Sequence, residues 1–128
     1  MPLQRIQPPG LSKPQSYTHV IRAGNTVYVA GQTATDEQGQ VVGKGDITAQ
    51  ATQVFENLKQ ALASAGADFS HVVKTTIFLT DPRYREPLAE VRQRYLGNNL
   101  PTSTLVTVAA LATPDLLIEI EAIAVVGD

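Results

Sequence analysis

The 128-residue sequence has no cysteine and no tryptophan, and its aromatic residues are three phenylalanines and four tyrosines. Without cysteine there is no disulfide framework, no thiol nucleophile and no thiolate metal ligand. That composition is compatible with a reducing cytoplasm. A surplus of one charge sign is also missing: 10 Lys and Arg stand against 12 Asp and Glu, a formal net charge of −2. Nucleic-acid binders carry basic stripes that displace counterions from phosphates. The nearest approach here is Arg83, Arg85, Arg92 and Arg94, interrupted by Glu86 and Glu90, and it reads as a solvated helix face. No apolar run approaches the ~20 residues of a membrane span, and residues 1–14 lack a signal-type apolar core. The default reading is a soluble cytoplasmic protein with no nucleic-acid or membrane partner. Familiar catalytic motifs are scarce as well. There is no phosphate loop and no Gly-x-Ser-x-Gly elbow, and neither His19 nor His71 has a second ligand at metal spacing. A metal site is not expected.

What is present reads as a single domain over residues 1–128, long enough to bury roughly two-thirds of its unfolded surface. Residues 1–16 form a Pro-, Gly- and Gln-rich irregular lead-in in which residues 3–6 can add a short edge strand. Two β-rich runs, 18–22 and 26–30, flank Ala23-Gly24-Asn25, a hairpin signal, and Gly31 is expected to end the second. Asp46 is placed to cap a helix whose stripe is Ile47, Ala51, Val54, Phe55, Leu58, Leu62 and Ala65, with Gly66 as its stop. Residues 72–80 alternate as a strand, with Val73, Thr75, Ile77 and Leu79 on one face. A second helix is expected from about Pro87, with Leu88, Val91 and Tyr95 as its stripe and Gly97 at its end. Strands at 103–110 and 116–126 complete an α+β order of ββ-α-β-α-ββ. Two amphipathic helices can cover only one face of such a sheet. The last strand nevertheless carries large aliphatic residues on both faces, which points to a subunit interface and a homo-oligomer.

Within that pattern Glu119 and Glu121 stand out. They share one strand face, roughly 7 Å apart, among aliphatic side chains. Covering that face would raise a carboxyl pKa and suit it to acid/base work. Arg92 and Arg94 point roughly 200° apart around the second helix, so only one can face the sheet. Arg92 flanks the buried stripe and could snorkel towards a cleft. Tyr17, just ahead of the hairpin, is ambiguous alone.

Taken together, Tyr17-Thr18-His19-Val20, Val29-Ala30-Gly31-Gln32, the helix at 50–66, Val73-Lys74-Thr75-Thr76-Ile77-Phe78-Leu79, Leu100-Pro101-Thr102-Ser103 and the closing Ile118-Glu119-Ile120-Glu121-Ala122-Ile123-Ala124-Val125 resemble the YjgF/RidA family of reactive-intermediate deaminases. The resemblance spans nearly the whole domain. It implies a chorismate-mutase-like fold and a homotrimer with a small-molecule cleft between neighbouring subunits. It also implies hydrolysis of enamines or imines to a ketone and ammonia, without metal or cofactor. By the same resemblance Tyr17 and Glu119 help line the site and place water, and Ala30, Gly31 and Gln32 form part of its wall.

The pattern departs from the family where an arginine of the fifth strand grips the substrate carboxylate. That position holds Ser103, or Thr104 with a one-residue slip, and no arginine follows Arg94. A hydroxyl cannot reproduce the bidentate, charge-assisted grip of a guanidinium. Leu105 stands where a cysteine is common, Ala30 where a serine is common and Arg92 where an asparagine is frequent. These differences point to a divergent member acting on a substrate unlike the usual amino-acid-derived imino acids, unless Arg92 supplies the lost charge from the helix. The competing readings are a non-catalytic small-ligand-binding or interaction trimer and, third, a ribonuclease or translation inhibitor, which the acidic balance disfavours.

Overall fold

The computed structural model describes residues 3–127. One six-stranded sheet in the order β1-β2-β3-β6-β4-β5 carries two helices on one face. Strands β1 (Leu3–Ile6), β2 (Val20–Ala23), β3 (Thr26–Thr33), β6 (Ile118–Val125) and β4 (Val72–Leu79) pair antiparallel in turn. The edge strand β5 (Thr102–Thr107) runs parallel to β4, as a strand–helix–strand crossover allows. The chain therefore has the expected α+β, chorismate-mutase-like architecture.

The hairpin turns at Gly24-Asn25, with Ala23 paired to Thr26 and Gly24 at φ 61°. Beyond it β3 does not stop at Gly31. It continues to Thr33 through an irregularity between Val29 and Gln32, where the pairing with β6 shifts register. A bulge of this kind absorbs extra residues without ending a strand.

Helix α1 (Ile47–Ser64) begins as expected, with the Asp46 carboxylate accepting from the Ala49 amide at 3.0 Å. It closes in a Schellman arrangement, in which Gly66 at φ 78° donates to the Ala63 carbonyl and Ala67 donates to that of Leu62. Helix α2 (Arg85–Leu96) starts two residues earlier than the Pro87 signal suggested, behind a 3₁₀ turn over Pro82–Tyr84. Asp81 caps that turn, and Pro87 sits in the helix's first turn, where a missing amide costs nothing.

The core lies between sheet and helices. Val20, Val27, Ile77, Leu79, Ile118 and Ile120 are buried from the sheet side, and Val54, Phe55, Leu58, Leu62, Leu88 and Val91 from the helix side. Val73 does not join Thr75, Ile77 and Leu79 in the core. It is 46% exposed, because β4 shifts register against β6 between Val72 and Lys74. The opposite face carries no helix, and Tyr28, Val106 and Val125 remain exposed on or beside it. Within the described residues no helix is long and apolar enough to cross a membrane.

Candidate functional site

Glu119 lies on the helix-free face of β6, the central strand that pairs with both β3 and β4. Its cross-strand partners are Thr33 on β3 and Phe78 on β4, and Glu121 stands opposite Thr76. The carboxylate folds back over the bulge in β3. A methyl group built on Gly31 would overlap Glu119 Oε2 and lie 2.8 Å and 2.9 Å from its Cδ and Cγ. Glycine at 31 is thus what lets a carboxylate lie flat against the backbone. Half-buried there, Glu119 has its pKa pushed up, first by desolvation and then by the neighbouring charge of Glu121. A carboxyl so placed can hold a proton closer to neutral pH than an ordinary one.

Beside it the uncovered face dips into a cavity of about 260 Å³, bounded by Thr18, Tyr28, Ala30, Lys74, Thr76 and Glu121. Thr104 belongs to this same face, because it pairs with Thr76 across β5 and β4. Ala30, Gly31, Thr104 and Glu119 are therefore brought to one side of the sheet.

Ser103, Leu105 and Arg92 are brought to the other. The Thr75 hydroxyl donates to Ser103 Oγ at 3.2 Å. Both line a cavity of about 390 Å³ with Ala89, Arg92, Leu96 and Leu100 along the edge of α2. Leu105 meets Arg92 in an adjoining groove that also holds Arg85 and Glu86. Arg92 thus borders both recesses, half-buried, within reach of the position where the sequence lacks its expected arginine.

Tyr17 lies at the β2 end of the sheet, far from Ser103. It precedes β2, is 57% exposed, and packs edge-on against His19 with ring centroids 5.7 Å apart. Four strand spacings separate β2 from β5, about 19 Å at ~4.8 Å each. Within one chain Tyr17 cannot share a small ligand with Ser103, and Glu119 is divided from Ser103 by the sheet itself. Glu119 with Gly31, and Ser103 with Arg92 and Leu105, make two half-sites on opposite surfaces of the sheet.

Gln32 follows neither. The bulge turns its side chain into the layer between sheet and helices, where it is 3% exposed and bonded to His19 and to the Ala30 carbonyl. His19, which has no metal-spaced ligand in the sequence, is its partner. The Tyr17-x-His19 and Gly31-Gln32 spacings were visible, but nothing in them revealed that the two pairs meet.

The steric fit at Gly31 makes a direct prediction. Gly31→Ala should swing the Glu119 carboxylate out to solvent and cost about 1–3 kcal/mol from overpacking. Thermal denaturation would read the cost. A ¹³C NMR titration of the carboxyl would show its midpoint falling towards the ordinary glutamate value.

Comparison with known proteins gives consistent results. A family model described as Endoribonuclease L-PSP matches residues 10–126. The 2-iminobutanoate/2-iminopropanoate deaminase of Rattus norvegicus is 40% identical over 113 residues, 88% of this chain and 81% of its own. The 3-aminoacrylate deaminase RutC of Acinetobacter baylyi is 36% identical over 125 residues, 97% of this chain and 98% of its own. Among solved structures, RidA from the Antarctic bacterium Psychrobacter sp. PAMC 21119 superposes with a TM-score of 0.89 at 35% identity, covering 96% of this chain and 99% of that one.

Proposed function

Because the chain belongs to the YjgF/RidA family, whose model is described as Endoribonuclease L-PSP, we propose that it is an imine or enamine hydrolase. Its sites would lie in clefts between the subunits of a homotrimer. Relatives named as imine and aminoacrylate deaminases support the reaction class. The observation that carries the proposal for this chain is Glu119, a half-buried carboxyl of raised pKa held against Gly31 on a sheet face that no helix covers.

The chemistry needs one group that both takes and returns a proton. Ionised Glu119 removes a proton from water as its oxygen bonds to the imine carbon and the C=N electron pair moves to nitrogen. The carboxyl then returns that proton to nitrogen. Glu119 next takes the hydroxyl proton of the carbinolamine and delivers it to the nitrogen as the C–N bond breaks, so that the carbonyl forms and ammonia leaves. A carboxyl whose pKa is raised towards the working pH suits both halves. Tyr17 orients the water or the substrate through its hydroxyl, and Ala30 and Gly31 form the wall. No metal or cofactor enters this scheme.

The separation of the half-sites supports the intersubunit placement. Tyr17 and Glu119 of one subunit would meet Arg92, Ser103 and Leu105 of the next. The exposed Tyr28, Val106, Leu100 and Val125 supply apolar surface for such contacts. A ribonuclease reading has weaker support, since the arginines form no stripe and Arg83 is bound to Asp81 at 2.6 Å.

The proposed substrate lies outside the usual amino-acid-derived imino acids, because the Ser103 hydroxyl stands where a guanidinium fork would hold a carboxylate. Ammonia release from freshly generated imines, with and without a carboxylate, tests both parts. Faster turnover of the carboxylate-free set is the expected result. Preference for carboxylate imines would assign the lost charge to Arg92, and Arg92→Ala should then weaken those substrates ~10- to 100-fold, the worth of one charged hydrogen bond. Saturable binding with no acceleration of either set would indicate a ligand-binding module.

A further inference from the structure

A buried polar chain runs behind the proposed catalytic face and is absent from the scheme above. His19 Nε2 lies 2.6 Å from the Ser12 carbonyl, and His19 Nδ1 lies 3.0 Å from Gln32 Nε2. Gln32 Nε2 also reaches the Ala30 carbonyl at 3.2 Å, and the Ala30 amide donates to the His19 carbonyl at 2.8 Å. A neutral imidazole with its proton on Nε2 satisfies every one of these bonds. His19 is 6% exposed and Gln32 3%. Polar groups this deep are costly to leave unpaired. The chain is therefore stiff, and it joins three segments: the lead-in at Ser12, the start of β2, and the bulge of β3.

Its two ends coincide with the two proposed catalytic groups. The Tyr17 ring rests edge-on against the His19 imidazole. The backbone tied down by Gln32 is Ala30-Gly31, the surface against which Glu119 lies. We infer that Gln32 and His19 are positioning residues, which hold the Gly31 bulge and the Tyr17 ring in fixed relation so that Glu119 and Tyr17 face one substrate. The inference rests on the hydrolase reading for its catalytic consequence but makes a structural claim of its own. Neither residue touches substrate. Gln32 acts through the backbone under Glu119, and His19 acts through Tyr17.

The experiment compares the wild type with Gln32→Met and His19→Gln, and with Gln50→Met as a control. Gln50 is equally buried and clamps the Gly43 and Asp115 carbonyls and the Leu117 amide, away from the bulge. Two readouts are taken on folded protein at a temperature below every variant's melting transition. The first is the ¹³C titration of the Glu119 carboxyl, with Glu121, Lys74, the Tyr28 phenol and, farther out on β1, Arg5 the other titratable groups on that face. Loosening the bulge admits water to the carboxylate, so the midpoint should move down in Gln32→Met and stay in place in Gln50→Met. The second is ammonia release, where kcat should fall ~10- to 100-fold in Gln32→Met and His19→Gln with little change in KM, the scale of a small misplacement.

An unchanged Glu119 midpoint in Gln32→Met, or an equal shift in Gln50→Met, would overturn the inference. If Gln32→Met does not fold, His19→Gln carries the same test through Tyr17, and an unaltered kcat there overturns it. Failure of the hydrolase reading looks different: the wild type releases no ammonia, while the carboxyl titration still reports whether Gln32 holds the bulge.

Discussion

Glu119→Gln is expected to slow ammonia release by on the order of 10²–10⁴-fold, the usual contribution of a positioned acid/base group. At 1.36 kcal/mol per tenfold, that is about 2.7–5.4 kcal/mol of barrier. The amide keeps the volume that fits over Gly31 but cannot take a proton from water. The substitution should not destabilise the fold, and the sign can be worked out. The folded-state pKa of Glu119 is raised, so folding favours the protonated form. That favourable contribution is complete below the ordinary carboxyl value of 4.5 and is lost as pH rises through the raised one. At neutral pH the ionised carboxylate is a small burden, and the glutamine variant should melt at the same temperature as the wild type or slightly above it. A slower reaction with an unchanged or higher melting temperature separates a chemical role from a structural one. Full activity in the variant would remove Glu119 from the mechanism.

The second large effect belongs to the core. Phe55 is 2% exposed on α1 and stacks on Tyr95 of α2 with ring centroids 5.1 Å apart and planes 13° from parallel. Phe69, in the 3₁₀ turn before β4, completes the cluster at 6.0 Å from Phe55 and 5.8 Å from Tyr95. Tyr95 also donates from its hydroxyl to Glu56 Oε2 at 2.6 Å. Burial first, and that bond second, push the phenol up to about 12. In a sequence this poor in aromatics, three of the seven join both helices to the sheet at one point. Phe55→Ala removes the shared member and should cost about 3–5 kcal/mol, a large share of the 5–15 kcal/mol typical of a whole domain. Urea unfolding would show the midpoint fall with little change in slope. A loss below about 1 kcal/mol would mean that the ring does not pack as described.

Much of this fold is legible in the residues, for identifiable reasons. The α1 stripe repeats at helical spacing, Asp46 and Gly66 mark its ends, and each of these signals is local. The hairpin is equally local, set by Gly24-Asn25. What depends on distant partners was not legible. The bulge at Ala30-Gly31 exists because β6 pairs on both sides of it, so local signals let Gly31 end a strand that continues, and the resemblance that put Gln32 on the cleft wall did not reveal a side chain turned inward. The shift at Val73 has the same origin. The parallel pairing of β5 leaves no mark in its own residues, since five of the six are exposed. At the site, Glu119 was visible as a carboxylate among aliphatics. Its seat on Gly31 depends on a contact across 88 positions, and no spacing rule reaches that far.

The strand order also bears on how the chain acquires its fold. The strand in the middle of the sheet, β6, is the last of the six to be synthesised, and it bridges β3 and β4. Until it arrives, one half of the sheet ends at β3 and the other at β4, each with an unpaired apolar edge. Helix α1 can form early from its own residues, but the surface it is meant to cover is incomplete until residues 118–125 are present. Folding is therefore committed late, through contacts of long sequence separation that close slowly, and the exposed edges of β3 and β4 are where a partly made chain is most open to mispairing.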